Sequence, residues 1–291
     1  MEILKSLEEY KALLVQYKQV CRRGYSNNYL GLDMVNRYIA LQRIYYETSP
    51  NSLMFITDEE NYYRVYIQTD AEADFAIRKK DKPVLIRNVY KENKKTEVLL
   101  RTEEKLKQQG FKLYDASVQI VASPLEMQED IRKKYDRAMD FLTRAGIKIR
   151  YAKEEEAGAI LSLREKEPLL KEYHFLYETA EEIAADIRQG YYRCAYNAQD
   201  EICAAQHFYV SNGTLQGDWL AVKEEYKVRY GIGTAMAYHS FMYAIEHEIP
   251  LYFGWVVRDN LKSIKYHQVI GYEISDKLAD EWLLEGGKGN E

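Results

Sequence analysis

Three groups of residues could do chemistry by type and spacing. Gly231 and Gly233 flank Ile232 and lead into a helical run from Thr234 to about Glu246. Backbone N–H groups at a helix start attract anions, and the helix dipole adds to this. Glycine lets the backbone come close and tolerates positive φ. The loop could hold a phosphate, and Gly-x-Gly before a helix is equally the form of a tight turn with no ligand. It is not a Walker loop, because no Gly-Lys-Ser/Thr follows, and the third glycine of a dinucleotide fingerprint is missing. The second group is Asn260, Ser263, His267 and Gly271-Tyr272, spaced N-x-x-S-x-x-x-H-x-x-x-G-aromatic, with Tyr266 beside His267. An imidazolium can donate a proton near neutral pH. The third is Asp218 in the β-rich run TLQGDWLAV, a carboxylate that could take a proton directly or through water.

Around these residues the second half reads strand, helix, three strands, loop, helix, strand, helix, strand. "IKIRYAK" begins it, and helical material follows from Glu154 to about Arg188, interrupted near Pro168. Turns at Asn197–Glu201 and Ser211–Gly213 divide the next stretch into three strands. "LYFGWVV" is a buried strand, "NLKSIKYHQVI" a helix and "YEISDKL" a last strand. The first half reads as helix over residues 1–46, then a hairpin around Asp58–Asn61. A strand at "KPVLIRNVYK", a helix stopped at Gly110 and a strand at "KLYDASVQIVAS" follow. The expected division is an α/β domain over 1–122, a helical connector over 123–146 and a second domain over 147–291.

The Gly-x-Gly loop, helix, strand and Asn260-to-Tyr272 pattern, in this order, resemble the GNAT acyltransferase superfamily over about residues 147–285. The resemblance implies an α/β (α+β) fold, a mixed and mostly antiparallel sheet with flanking helices. It implies that Gln216–Val222 splays from its neighbour. The pantetheine arm of acetyl-CoA would insert there, with Leu220, Ala221 and Val222 at the thioester end. The amides of Val228, Arg229, Tyr230, Gly231, Ile232, Gly233 and Thr234 would hold the pyrophosphate, and the helix with Asn260 and Ser263 would lie along the cofactor. The family often has a tyrosine acid seven residues after the asparagine, and His267 holds that position here. One departure is the loop itself. The Arg or Gln usual three residues before the first glycine is Val228, flanked by Lys227 and Arg229.

The implied activity is acetyl-CoA-dependent transfer to a primary amine of a small molecule or peptide, direct and without a covalent enzyme intermediate. His267 or Tyr266 would serve as acid and Asp218 as base. His207 shares a strand face with Ala205 and Tyr209 and reads as a satisfied histidine. His174 lies where family members cover the acceptor. The first half lacks a Gly-x-Gly loop, and "LKQQGFKLYD" echoes "HQVIGYEISD". It reads as a degenerate GNAT-like unit or an unrelated α/β domain, with no phosphate cradle. Two other functions fit the pattern: a non-catalytic acyl-CoA-binding protein, and a Fem-like transferase using charged tRNA.

Composition narrows these choices. The 291 residues are 46% hydrophobic and 30% charged, an ordinary globular balance with room for two domains. A net charge of −5 opposes a nucleic-acid binder. Cys21, Cys194 and Cys203 are isolated and read as reduced thiols of a cytoplasmic protein. No spacing of His, Cys and Asp suggests a metal, and no apolar run approaches a membrane span.

Overall fold

The computed structural model describes residues 1–18, 24–70, 76–77, 81–167, 179–227 and 231–286. The chain divides into two compact units, Met1–Val118 with Asp276–Glu291, and Gln119–Ser275. The strands are β1 (Glu2–Ile3), β2 (Tyr25–Ser26), β3 (Ile44–Ser49), β4 (Ser52–Asp58), β5 (Tyr63–Thr69), β6 (Val84–Lys91), β7 (Lys112–Ala122), β8 (Lys148–Tyr151), β9 (Tyr192–Tyr196), β10 (Ile202–Ser211), β11 (Thr214–Val222), β12 (Leu251–Val257) and β13 (Glu273–Leu284). The helices are α1 (Leu7–Lys18), α2 (Leu32–Ala40), α3 (Glu97–Gln108), α4 (Gln128–Arg144), α5 (Ala157–Glu165), α6 (Ala180–Arg188), α7 (Ile232–Glu246) and α8 (Leu261–Ile270).

In the second unit the strand order is β12-β11-β10-β9-β8. All pairs are antiparallel except β11 with β12. Strand alternation sends Trp219 and Ala221 to one face, against Ile160, Ile183 and Ile187 of α5 and α6. Leu220 and Val222 go to the other, against Ile232, Ala235 and Met236 of α7. Helix α6 starts on a capping box: Thr179 Oγ1 accepts from the Glu182 N–H (3.2 Å) and Glu182 accepts from the Thr179 N–H (2.8 Å). Helix α4, expected as a connector, lies wholly within this unit, packs on α7 and buries Ile131 and Leu142, because its 3.6-residue apolar stripe needs a partner.

In the first unit the order is β1-β3-β4-β5-β6-β13, antiparallel except β5 with β6. The last strand, expected within the second domain, belongs here from Asp276 onward, paired along β6 from Lys277↔Lys91 to Leu284↔Val84. Residues 1–46 are not continuously helical. The period-3.6 stretches are real in α1 and α2, but Gly24 to Ser26 between them turns extended and the run ends in β3.

That extended piece has a specific place. The parallel ladder between β5 and β6 ends after Tyr63↔Val84 and Arg64↔Leu85, while both strands run on. One edge of β5 is paired throughout with β4. Its other edge, left by β6, takes β2 through Tyr25↔Thr69 and Ser26↔Gln68. Asn27 completes the lacing. Its N–H donates to Ile67 O (3.1 Å), and its amide donates to Val65 O (3.3 Å) and to Arg87 O of β6 (3.1 Å). A Cβ on Gly24 would sit 1.9 Å from Thr69 O, so only glycine lets the segment come this close.

Candidate active site

The parallel ladder of β11 and β12 ends in the same manner. Thr214↔Leu251, Leu215↔Tyr252 and Gln216↔Phe253 are paired. Beyond Gln216, β11 continues to Val222 and β12 to Val257. The divergence begins at Gly217 and Gly254. Among the described residues no segment pairs with the edge of β11 that β12 leaves. The backbone of residues 217–222 there presents N–H and C=O groups that a strand-like ligand can pair with.

Helix α7 opens beside this strand. Gly231 is its N-cap at φ +63°, a left-handed conformation that a residue with a Cβ rarely adopts. The N-terminal amides of a 15-residue helix have no partners within it, which favours an anion there. A Cβ on Gly233 would lie 3.6 Å from Leu220 Cδ2 and 3.6 Å from Tyr266 Oη. Three candidate elements therefore meet at Gly233: the diverging strand, the glycine helix start and the helix after β12. Lys227, just before the loop, is held by Glu167 (3.2 Å) and Glu224 (3.0 Å). Val228, Arg229, Tyr230 and His174 lie outside the described residues.

Tyr266 and His267 are neighbours with different surroundings. Tyr266 Oη is buried at the first turn of α7, next to Thr234, with no hydrogen bond at normal geometry. Burial, partly offset by Thr234, pushes its hydroxyl up to about 12. His267 turns back along its own helix. Its Nδ1 lies 2.8 Å from Ser263 O, and since a carbonyl only accepts, Nδ1 carries the proton. Burial lowers this imidazole below its ordinary value, the Ser263 carbonyl opposing, so it is neutral at pH 7. Asn260 caps α8, its Oδ1 accepting from Ser263 N–H at 3.1 Å. The asparagine, serine and histidine thus hold the helix together locally, while Tyr266 reaches the glycine loop.

Asp218 occupies a β-bulge. The β10–β11 register passes from His207↔Trp219 to Phe208↔Gly217, leaving Asp218 as the extra residue. Its Oδ2 lies 2.9 Å from Nδ1 of His207. His207 is 5% exposed and stacks on Tyr192 at 4.5 Å and 18°. His207 is legible only by its strand face with Ala205 and Tyr209, and nothing in the sequence marks its contact with Asp218.

The fold is that of the GNAT N-acetyltransferases. A tandem GNAT protein from the clavulanic acid biosynthesis pathway is similar over 99% of this chain and 99% of its own, at 13% identity and a TM-score of 0.61. A GCN5-related N-acetyltransferase from Sphaerobacter thermophilus is similar over 95% and 92%, at 10% identity and TM-score 0.54. A GNAT-family acetyltransferase from Colwellia psychrerythraea is similar over 98% and 99%, at 10% identity and TM-score 0.51. No protein-family profile and no curated protein sequence matches the chain. Among the described residues no group of three His, Cys, Asp or Glu could hold a metal ion, and no helix is long and apolar enough to cross a membrane.

Proposed function

We propose that the second unit binds acetyl-CoA and transfers the acetyl group directly to a primary amine of a small molecule or peptide. The observation that carries this reading is the convergence at Gly233 of the unpaired edge of β11, the α7 N-terminus and Tyr266. The amides of Gly231 to Thr234 take the pyrophosphate, and the pantetheine arm pairs with residues 217–222. Asn260 and Ser263 hold α8 in place alongside.

Asp218 takes one proton from the acceptor ammonium, the freed amine attacks the thioester carbonyl, and the tetrahedral adduct gives its second N–H proton to water as the C–S bond breaks. Tyr266, beside Gly233, stands at the pyrophosphate end of the cofactor's path rather than at the sulfur. Its hydroxyl, raised to about 12, is also too weak an acid to protonate a thiolate of ordinary basicity, about 8.5, so the sulfur leaves as the thiolate. His267 is read as a packing residue, because a neutral imidazole whose protonated nitrogen is spent on Ser263 O has no proton to give.

Calorimetry with CoA, followed by thiol release from acetyl-CoA across a panel of primary amines, tests the reading. Binding with amine-dependent thiol release is expected. Binding without release for any amine would instead favour an acyl-CoA-binding protein. Binding of charged tRNA without CoA would favour the aminoacyl-transfer reading.

A further inference from the structure

We propose that His207, standing between Asp218 and Asp186, is a positioning residue of this transfer reaction: it aims the Asp218 carboxylate at the acceptor amine. The inference rests on the proposed acetyl transfer and concerns its base.

The geometry is specific. In an unbroken strand Asp218 would share the face of Leu220, toward α7. The bulge removes that alternation and turns Asp218 to the side of Trp219, where His207 waits on β10. A carboxylate only accepts, so the 2.9 Å contact fixes the proton on Nδ1 of His207 and occupies Oδ2 of Asp218. Oδ1 of a side chain 31% exposed is left to meet the acceptor. The other ring nitrogen, Nε2, lies 3.8 Å from Oδ2 of Asp186 on α6.

The Asp218 contact fixes the ring at Nδ1, while Asp186 stands beyond hydrogen-bond distance of Nε2. Tyr192 stacks on its face, and Tyr209 and Trp219 close its sides at 6.0 and 6.4 Å. A histidine wanted only as core filler needs no bulge to bring an aspartate to it. Here the bulge and the ring contact act together on the one carboxylate that stands on the unpaired strand.

The test uses the full chain with acetyl-CoA and the amine found by thiol release. His207→Leu removes the donor to Asp218; His207→Gln keeps an amide donor near it. Removing an oriented base partner should lower kcat by roughly 10- to 100-fold in His207→Leu. The Kd for CoA should change less than about threefold, and Gln should recover part of the loss. Asp218→Asn should lower kcat at least as far, and adding His207→Leu to it should cost little more, because the two act as one unit. If His207→Leu does not fold, the Gln variant and the Asp218→Asn background carry the test. Wild-type kcat in a folded His207 variant overturns this inference while leaving the acetyl-transfer reading in place, and so do fully additive losses. Absence of CoA binding in the wild type instead removes the reading on which it rests.

Discussion

The two parallel strand pairs, β5–β6 and β11–β12, begin alike and end differently. Each follows two antiparallel hairpin steps, each loses its ladder after two or three residue pairs, and each is followed by a helix closed by Gly and an aromatic residue. In the first unit the chain fills its own wedge. Tyr25–Ser26 pairs with the edge of β5, Asn27 ties β5 to β6, and the Tyr25 hydroxyl bonds Asn88 of β6. In the second unit the edge of β11 has no such partner among the described residues, and a glycine-started helix stands beside it. One topology therefore serves in one case as a packed scaffold and in the other leaves a strand edge without a partner strand among the described residues. The difference is made by a few residues, and single substitutions can probe it.

The largest effect is expected at the helix start. Gly233→Asp places bulk between Leu220 and Tyr266 and a negative charge where the pyrophosphate would lie. Calorimetry should show CoA binding lost in a variant that keeps its melting temperature within a few degrees. Unchanged affinity would remove the distinction between the two wedges.

Next comes the pair on α8. Tyr266→Phe should weaken CoA binding and change kcat less than about threefold, and His267→Gln should alter kcat little and weaken CoA binding modestly. The pH profile separates the two residues further. An imidazolium acid at His267, lowered from 6.5, would make the rate fall as pH rises through the acidic range. A Tyr266 hydroxyl near 12 stays protonated, so it adds no such fall between about pH 6 and 9. A large kcat loss in His267→Gln alone would reverse the assignment.

Smaller effects belong to the first unit. Asn27→Ala removes bonds to Val65, Ile67 and Arg87 and should cost about 1–3 kcal/mol of stability in chemical denaturation, with CoA stoichiometry still one per chain. A second equivalent of CoA, in the variant or the wild type, would show that the filled wedge is not what excludes the cofactor.

Much of the second unit was legible in sequence. Gly231-x-Gly233 before a helix, the apolar strand after it and the helix ended by Gly271-Tyr272 all follow local rules of spacing and capping, and all are present. The roles within α8 were less legible. Asn260 and His267 match a family spacing, yet the direction of a side chain depends on helix phase against α7, and that phase puts Tyr266 beside Gly233 and His267 against its own helix. The bulge at Asp218 could not be placed: Gly217 inside the strand and the apolar run WLAV allow one, but neither says which residue is extra. Nor could β2. Gly24 and Asn27 look like ordinary linker residues, and their meaning comes from Thr69 and Arg87, more than forty positions away.

Hydrogen exchange of the whole chain with and without CoA tests the contrast between the wedges most directly. Slowed exchange is predicted for amides of residues 217–222 and 231–236, with none added over β5 or β6, where β4 and β2 already pair the edges of β5. Protection by CoA appearing along β5 and β6, or missing from the start of α7, would contradict the assignment of the cofactor to the second unit.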